Sequence, residues 1–371
     1  MLRVISSENV IITQFDVFEG CNDFFVNSLD NSLDDFFSIF DKKFSLIPES
    51  YENVCKIIGV SGQDRLNVVP PSLIRQAAIA AADQMKEVLD DQENLRYLEK
   101  YMEMRVFLDS MLPADVDTSK LSSMIERQKH DGVKSNLRTF LNPTSIKYSM
   151  SSSVTGRLSV TEGPKILTSP QEVKSVFRSR HRNGRILQLD LSCAEPNFAL
   201  FCNGMPPMSD LYEFVAAEVL EGKVDRSTAK LVLLSSIYGQ SVKNLSSALP
   251  VDINASTVIK KVKRFLMIEK LKDQLKDQWN SNAFRNYFSR PMKTDQSRLL
   301  ISHYLQSSVA EMSILMFSRF CNEHKADPLF VIHDALIIDA NESLAKKLMS
   351  QKDFCFKFED SDFPATITEI S

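Results

Sequence analysis

Two apolar runs, Arg185-Ile-Leu-Gln-Leu189 and Leu329-Phe-Val-Ile-His333, lie far apart in the chain and each leads directly into an aspartate, Asp190 and Asp334. Their length and apolar content predict buried strands. An acid at the end of one strand commonly caps or turns it. Two such acids on neighbouring strands would repel each other unless cations lay between them. Magnesium suits that arrangement, because it takes one or two carboxylates and completes its shell with water and substrate phosphates. Two such ions about 3.5–4 Å apart clamp the attacking and leaving oxygens of an in-line phosphoryl displacement.

The segment Asp225 to Gly239 between them reads as one helix, with Asp225 as N-cap, no internal Pro or Gly, and Gly239 where a left-handed cap is expected. Arg226, Lys230, Leu234 and Tyr238 recur every four residues and form one stripe. Its two cations occupy the first turns, where the helix dipole disfavours positive charge by about 0.3–1 kcal/mol each. A bound polyphosphate reverses that cost, whereas a solvated basic edge is the plainer reading of Arg-x-x-x-Lys alone.

Four segments recur in a recognisable order: Thr155-Gly-Arg-Leu-Ser159, Asp190-Leu-Ser-Cys-Ala-Glu195, Arg226-x-x-x-Lys230 followed by Tyr238-Gly239, and His333-Asp334. This order resembles the polymerase domain of family A (pol I-type) DNA polymerases, over roughly Asp131 to the C-terminus. The resemblance implies an α+β right-hand fold with an antiparallel-sheet palm, helical fingers and a helical thumb. It implies metal-binding Asp190 and Asp334, with two Mg²⁺ ions for which Mn²⁺ can substitute. Lys230 and Arg226 would bind the triphosphate, Lys230 also acting in catalysis, while Leu234 and Tyr238 face the incoming nucleotide and Glu195 blocks a ribose 2′-hydroxyl. Arg157, Arg298, Gln306 and His333 would contact primer–template DNA. The implied reaction is template-directed transfer from a deoxynucleoside triphosphate to a primer 3′-hydroxyl, releasing pyrophosphate.

The departures from the family pattern are Ala335 where an acid commonly follows His-Asp, Leu234 where an aromatic residue is usual, and Ser302 in place of an Asn. They point to a divergent, phage-like member. A single-subunit phage-type RNA polymerase shares much of the pattern but keeps the position of Glu195 small. A decayed, nucleic-acid-binding homologue is the other alternative, and it would not be expected to retain Asp190, Asp334, Arg226, Lys230 and Tyr238 together.

Residues 1–70 are an acidic, Phe-rich segment, 71–144 a thumb-like helical region, 145–204 the first part of the palm, 205–290 the fingers and 291–371 the second part of the palm. Strands are expected around Ser145–Tyr148 and Ile186–Leu189. Within 1–70, Gln14-Phe-Asp-Val-Phe18 and Leu33-Asp-Asp-Phe-Phe37 either dock on a partner, such as a processivity factor, or fold inward. Asp16-Val-Phe-Glu19 lacks the spacing of a proofreading exonuclease, so that activity is expected from a separate chain.

The formal charge of −4 is uneven: residues 1–50 carry nine acids and three bases of the chain's 48 and 44, leaving the remainder slightly basic. The clusters Lys174–Arg185 and Lys260–Arg264 are candidate phosphate-binding faces. No run approaches the ~20 apolar residues that span a membrane, and no signal-peptide pattern opens the chain, so a cytoplasmic protein is expected, in the host cytoplasm if viral. The six cysteines include no Cys-x-x-Cys pair, and the five histidines lack metal-ligand spacing.

Overall fold

The computed structural model describes residues 3–5, 10–12, 31–43, 47–60, 67–142, 144–239 and 245–370. They divide into two compact units, Met1–Tyr101 and Met102–Ser371. The division falls inside the helix Gln92–Asp109.

In the first unit, strands β1 (Arg3–Ile5) and β2 (Val10–Ile12) pair antiparallel. Helices follow at Asn31–Ser38, Glu49–Ile58 and Pro71–Leu89. Phe36 and Phe37 are 0% and 1% exposed. The ring of Phe36 lies 5.8 Å from Tyr97 and 5.1 Å from Tyr101. The motif Leu33–Phe37 therefore buries its phenylalanines within the unit, the inward-folding alternative of the two. Gln14–Phe18 and Asp16–Glu19 lie outside the described residues.

The second unit is organised by a five-stranded antiparallel sheet. Its strands come from β7 (Arg185–Leu191), β8 (Asp327–Ile332), β9 (Ala335–Ala340), β10 (Phe354–Phe358) and β11 (Ser361–Glu369), in the spatial order β10-β11-β7-β9-β8. Ile186, Leu187 and Leu189 bury both faces of β7, as a central strand requires. After β7 the chain leaves the sheet for a long, mainly helical excursion and returns only at β8. Along that excursion, the helix Leu300–His324 is buried on nearly every side, its apolar residues interleaved with small serines and Glu311. Its Phe317 and Phe320 pack on Phe356 of β10 with ring centroids 5.2 and 5.5 Å apart.

Two smaller sheets complete the unit: β3 (Asp115–Val116) with β6 (Phe177–Arg178), and β4 (Lys147–Ser149) with β5 (Ser159–Glu162). The strand expected near Ser145–Tyr148 is thus present as β4, but it pairs with β5 instead of joining the sheet of β7. Its link to that sheet is the Tyr148 hydroxyl, which donates to the Val331 carbonyl at 2.9 Å and accepts from the Val331 amide at 3.1 Å. Among the described residues, no helix is long and apolar enough to cross a membrane.

Candidate active site

Strand register brings the two aspartates together. Asp190 of β7 pairs with Ala335 of β9, and Ile332 of β8 pairs with the same Ala335. His333 and Asp334 form the two-residue turn between β8 and β9, with His333 at φ 55°, as primed hairpin turns require at their first position. The Leu191 amide donates to the Asp334 carbonyl at 3.1 Å, tying the turn to the end of β7.

This closeness has an electrostatic cost. Burial, then the charges of Asp190 and Glu195, push the Asp334 carboxyl up to about 6. Asp190 is also raised, chiefly by burial, although Gln188, Lys174 and Lys230 favour its charged form. The Gln188 amide donates to Asp190 Oδ2 at 3.2 Å, and Lys174 Nζ donates to Gln188 Oε1 at 2.8 Å. Among the described residues no three His, Cys, Asp or Glu side chains form a metal-ligating group. Two mutually repelling carboxylates nevertheless fit Mg²⁺, which needs no third protein ligand when substrate phosphates and water complete its shell.

Glu195 links two other predicted residues. Directly after β7 the chain turns through Cys193, at φ 52°, into the helix Ala194–Cys202, and Glu195 stands in its first turn where the dipole favours a carboxylate. Glu195 Oε1 accepts from the Tyr238 hydroxyl at 2.9 Å and from Arg157 Nη2 at 3.2 Å. Arg157, Glu195, Gln306, His333 and Asp334 line one cavity of about 280 Å³, whose apolar wall includes Leu158, Val309 and Ala310. Burial and the Arg157 charge hold the His333 imidazole below its ordinary value. Burial, then the charge of Glu195 and the hydrogen bond it accepts from the phenol, push Tyr238 well above its ordinary value.

The helix Arg226–Tyr238 forms as its caps predict. Asp225 accepts from the Thr228 amide at 2.8 Å, and Gly239 takes φ 67°. Arg226 and Lys230 are exposed on it. Arg226 Nε contacts Asp210 Oδ2 at 2.8 Å and Oδ1 at 3.0 Å. Both cations lie 5.5 Å from the centre of the Tyr212 ring. Leu234 is partly buried on the same helix. Arg298 is set apart: it is exposed in the turn Ser297–Leu299, donates to Gln296 Oε1 at 2.7 Å, and does not line the cavity.

The basic clusters are largely engaged with the chain's own acids. Arg178 pairs with Asp117, Arg180 with Asp327 and the buried Asp339, and Arg185 with Glu369. On the helix Ala255–Phe265, Lys261 pairs with Glu221 and Lys263 with Glu269.

No family profile and no curated protein matches this sequence. Among solved structures, the fold is similar to the POL domain of Pol1 from M. smegmatis in complex with DNA primer-template and dNTP. That likeness has a TM-score of 0.55 at 13% identity, over 91% of this chain and 81% of the other. The chain has a polymerase-like fold. Within it, sequence reasoning missed Lys174 and Gln188 beside Asp190, and Asp210 and Tyr212 beside the cations of the helix. Lys174 carried a signal as part of a basic cluster; Asp210 and Tyr212 carried none, because only the folded chain sets them against Arg226 and Lys230.

Proposed function

We propose that the chain is a template-directed DNA polymerase, a divergent relative of family A, that adds deoxynucleotides to a primer 3′-hydroxyl. The observation that carries this reading is the Asp190–Asp334 corner: the charge of Lys230 on the basic helix favours ionised Asp190, and Asp334 lines a cavity with Glu195, Arg157 and Gln306. The polymerase-like fold supports it, since the similar domain from M. smegmatis is in complex with primer-template and dNTP.

Asp190 and Asp334 would hold two Mg²⁺ ions, with Mn²⁺ as a substitute. Bound there, the ions supply Lewis-acid activation of the primer hydroxyl and neutralise charge on the leaving pyrophosphate. The chain's own groups do the rest. Lys230 and Arg226 bind the triphosphate oxygens, Arg226 exchanging its Asp210 carboxylate for phosphate. Tyr238 and Leu234 face the nascent pair, while Glu195 fills the space beside the sugar C2′. Arg157, Gln306, His333 and Arg298 hold the primer–template.

In this reading the five-stranded sheet is the palm, residues 205–290 the fingers and 71–144 the thumb. Proofreading comes from a separate chain, and Gln14–Phe18 is the remaining segment for a processivity partner. Primer extension by the purified chain with four deoxynucleotides and Mg²⁺ or Mn²⁺ tests the proposal. Elongated primers are expected; no elongation with either metal refutes it.

A further inference from the structure

Behind the wall of the cavity lies an ion pair that the reaction itself does not use. Arg290 and Glu311 have side chains 2% and 1% exposed, with Arg290 Nη1 and Glu311 Oε1 3.2 Å apart. A fully buried pair is rarely retained for stability, because desolvation offsets most of its attraction. Its surroundings indicate what it holds. Arg290 Nη2 donates to the Met150 carbonyl at 2.8 Å, at the start of the loop that carries Arg157. Farther along that loop, Gly156 sits at φ +66°, and a Cβ there would lie 3.0 Å from Cζ and Nη1 of Arg290. The loop is thus laid directly against the guanidinium.

The other end of the pair is anchored in the wall that faces the loop. Glu311 belongs to the helix Leu300–His324, whose Gln306, Val309 and Ala310 line the cavity. Asn286 donates to Glu311 Oε2 at 2.7 Å and to Ser307 Oγ at 3.0 Å, while its own Oδ1 accepts from the Arg290 amide at 2.9 Å. The turn that bears Arg290 is therefore seated on the helix by buried hydrogen bonds. Both walls of the cavity meet at one guanidinium.

We propose that Arg290 and Glu311 are positioning residues that clamp the Met150–Arg157 loop to the helix Leu300–His324 and so set where Arg157 meets the primer end. The inference rests on the polymerase reading. It predicts that loosening the clamp weakens primer–template use and leaves the triphosphate site, built on another helix, unaffected.

The test replaces the pair with apolar side chains, Arg290→Met together with Glu311→Leu, an exchange that commonly preserves folding. Gly156→Ala is the second variant, since it keeps both side chains of the pair while its Cβ, 3.0 Å from the guanidinium and at a φ of +66°, forces loop and guanidinium apart. Both are expected to raise KM for primer–template about tenfold, with KM for deoxynucleotide changed by less than about twofold. Amide hydrogen exchange over residues 151–158 should accelerate in both variants. Unchanged primer–template KM and unchanged exchange in a folded variant would overturn the clamp. If wild-type protein fails to extend primers, the polymerase reading fails, and exchange alone still decides whether the pair holds the loop.

Discussion

The acid corner and the basic helix are built in opposite ways. Asp190 and Asp334 are placed by backbone: strand register, a two-residue turn and the Leu191 amide on the Asp334 carbonyl. Arg226 and Lys230 stand exposed on long side chains, one shared with Asp210 and both against Tyr212. The first arrangement stores repulsion in a rigid frame. The second is an exposed pair worth little to stability, so exchanging Asp210 for a phosphate costs little. For the proposed polymerase site, which would hold metal ions and admit nucleotides transiently, that division is an advantage, because preorganised charge requires no rearrangement during the reaction.

The largest effects are expected at the rigid end. Asp190→Ala or Asp334→Ala should reduce incorporation by about 10⁴-fold or more, the scale of removing a residue central to a reacting unit. Single-turnover extension measures it, with circular dichroism to confirm folding. Near wild-type extension by either variant would remove the assignment of the acid corner. At the adaptable end, Lys230→Ala should slow incorporation by about 10²–10³, the loss typical of one charge stabiliser. Arg226→Ala should act more on nucleotide affinity than on rate, since its guanidinium is held by an exposed carboxylate that a phosphate can replace. Equal losses in rate and affinity at both positions would erase the distinction between the cations.

Much of this contrast was legible in the sequence because its signals are local. The strand runs, the terminal acids, Asp225 and Gly239 all act within a few residues, and each element formed where those signals lie. The pairing of β4 with β5 was not legible, since strand partners depend on loop geometry between Ser149 and Ser159. Nor was the meeting of Arg157, Tyr238 and Glu195 on one carboxylate oxygen, which brings three separate segments to one point. Arg290 and Glu311 were invisible for the same reason: a buried ion pair has no periodic signature.

Burial of Asp334, with the repulsion of its neighbours added, also makes a smaller, measurable prediction about stability. The Asp334 carboxyl is raised from 3.8 to about 6 on folding. Between those values the folded protein binds the proton that the unfolded chain has released, so this group's contribution falls as pH rises and levels off above about pH 6. The full penalty is at most about 3 kcal/mol, by the conversion of roughly 1.4 kcal/mol per pKa unit. Asp334→Asn should therefore raise the melting temperature in chelator at pH 7–8 and have little effect at pH 4. An equal shift at both pH values would mean that folding does not raise the Asp334 carboxyl.

The smallest expected effect lies where the two regions meet. Glu195 follows the acid strand by a few residues yet holds Tyr238 at the far end of the basic helix, at 2.9 Å, and Arg157 at 3.2 Å. If the nucleotide sugar lies against it, a ribose would crowd this carboxylate with one additional oxygen. Exclusion would then be steric and need not change triphosphate binding. Glu195→Ala should raise ribonucleotide use relative to deoxynucleotide use about tenfold, or ~1.4 kcal/mol of lost discrimination. It should also lower the overall rate modestly, because Tyr238 and Arg157 lose their shared acceptor. Glu195→Gln separates the two contributions: it keeps the bulk and an acceptor oxygen, so discrimination should survive while the charge-assisted contact to Arg157 weakens. Competitive extension with both nucleotide types at equal concentration reads the ratio. A wild-type preference for ribonucleotides, or chain initiation without a primer, would instead make the enzyme an RNA polymerase and leave Glu195 as a tether between strand and helix.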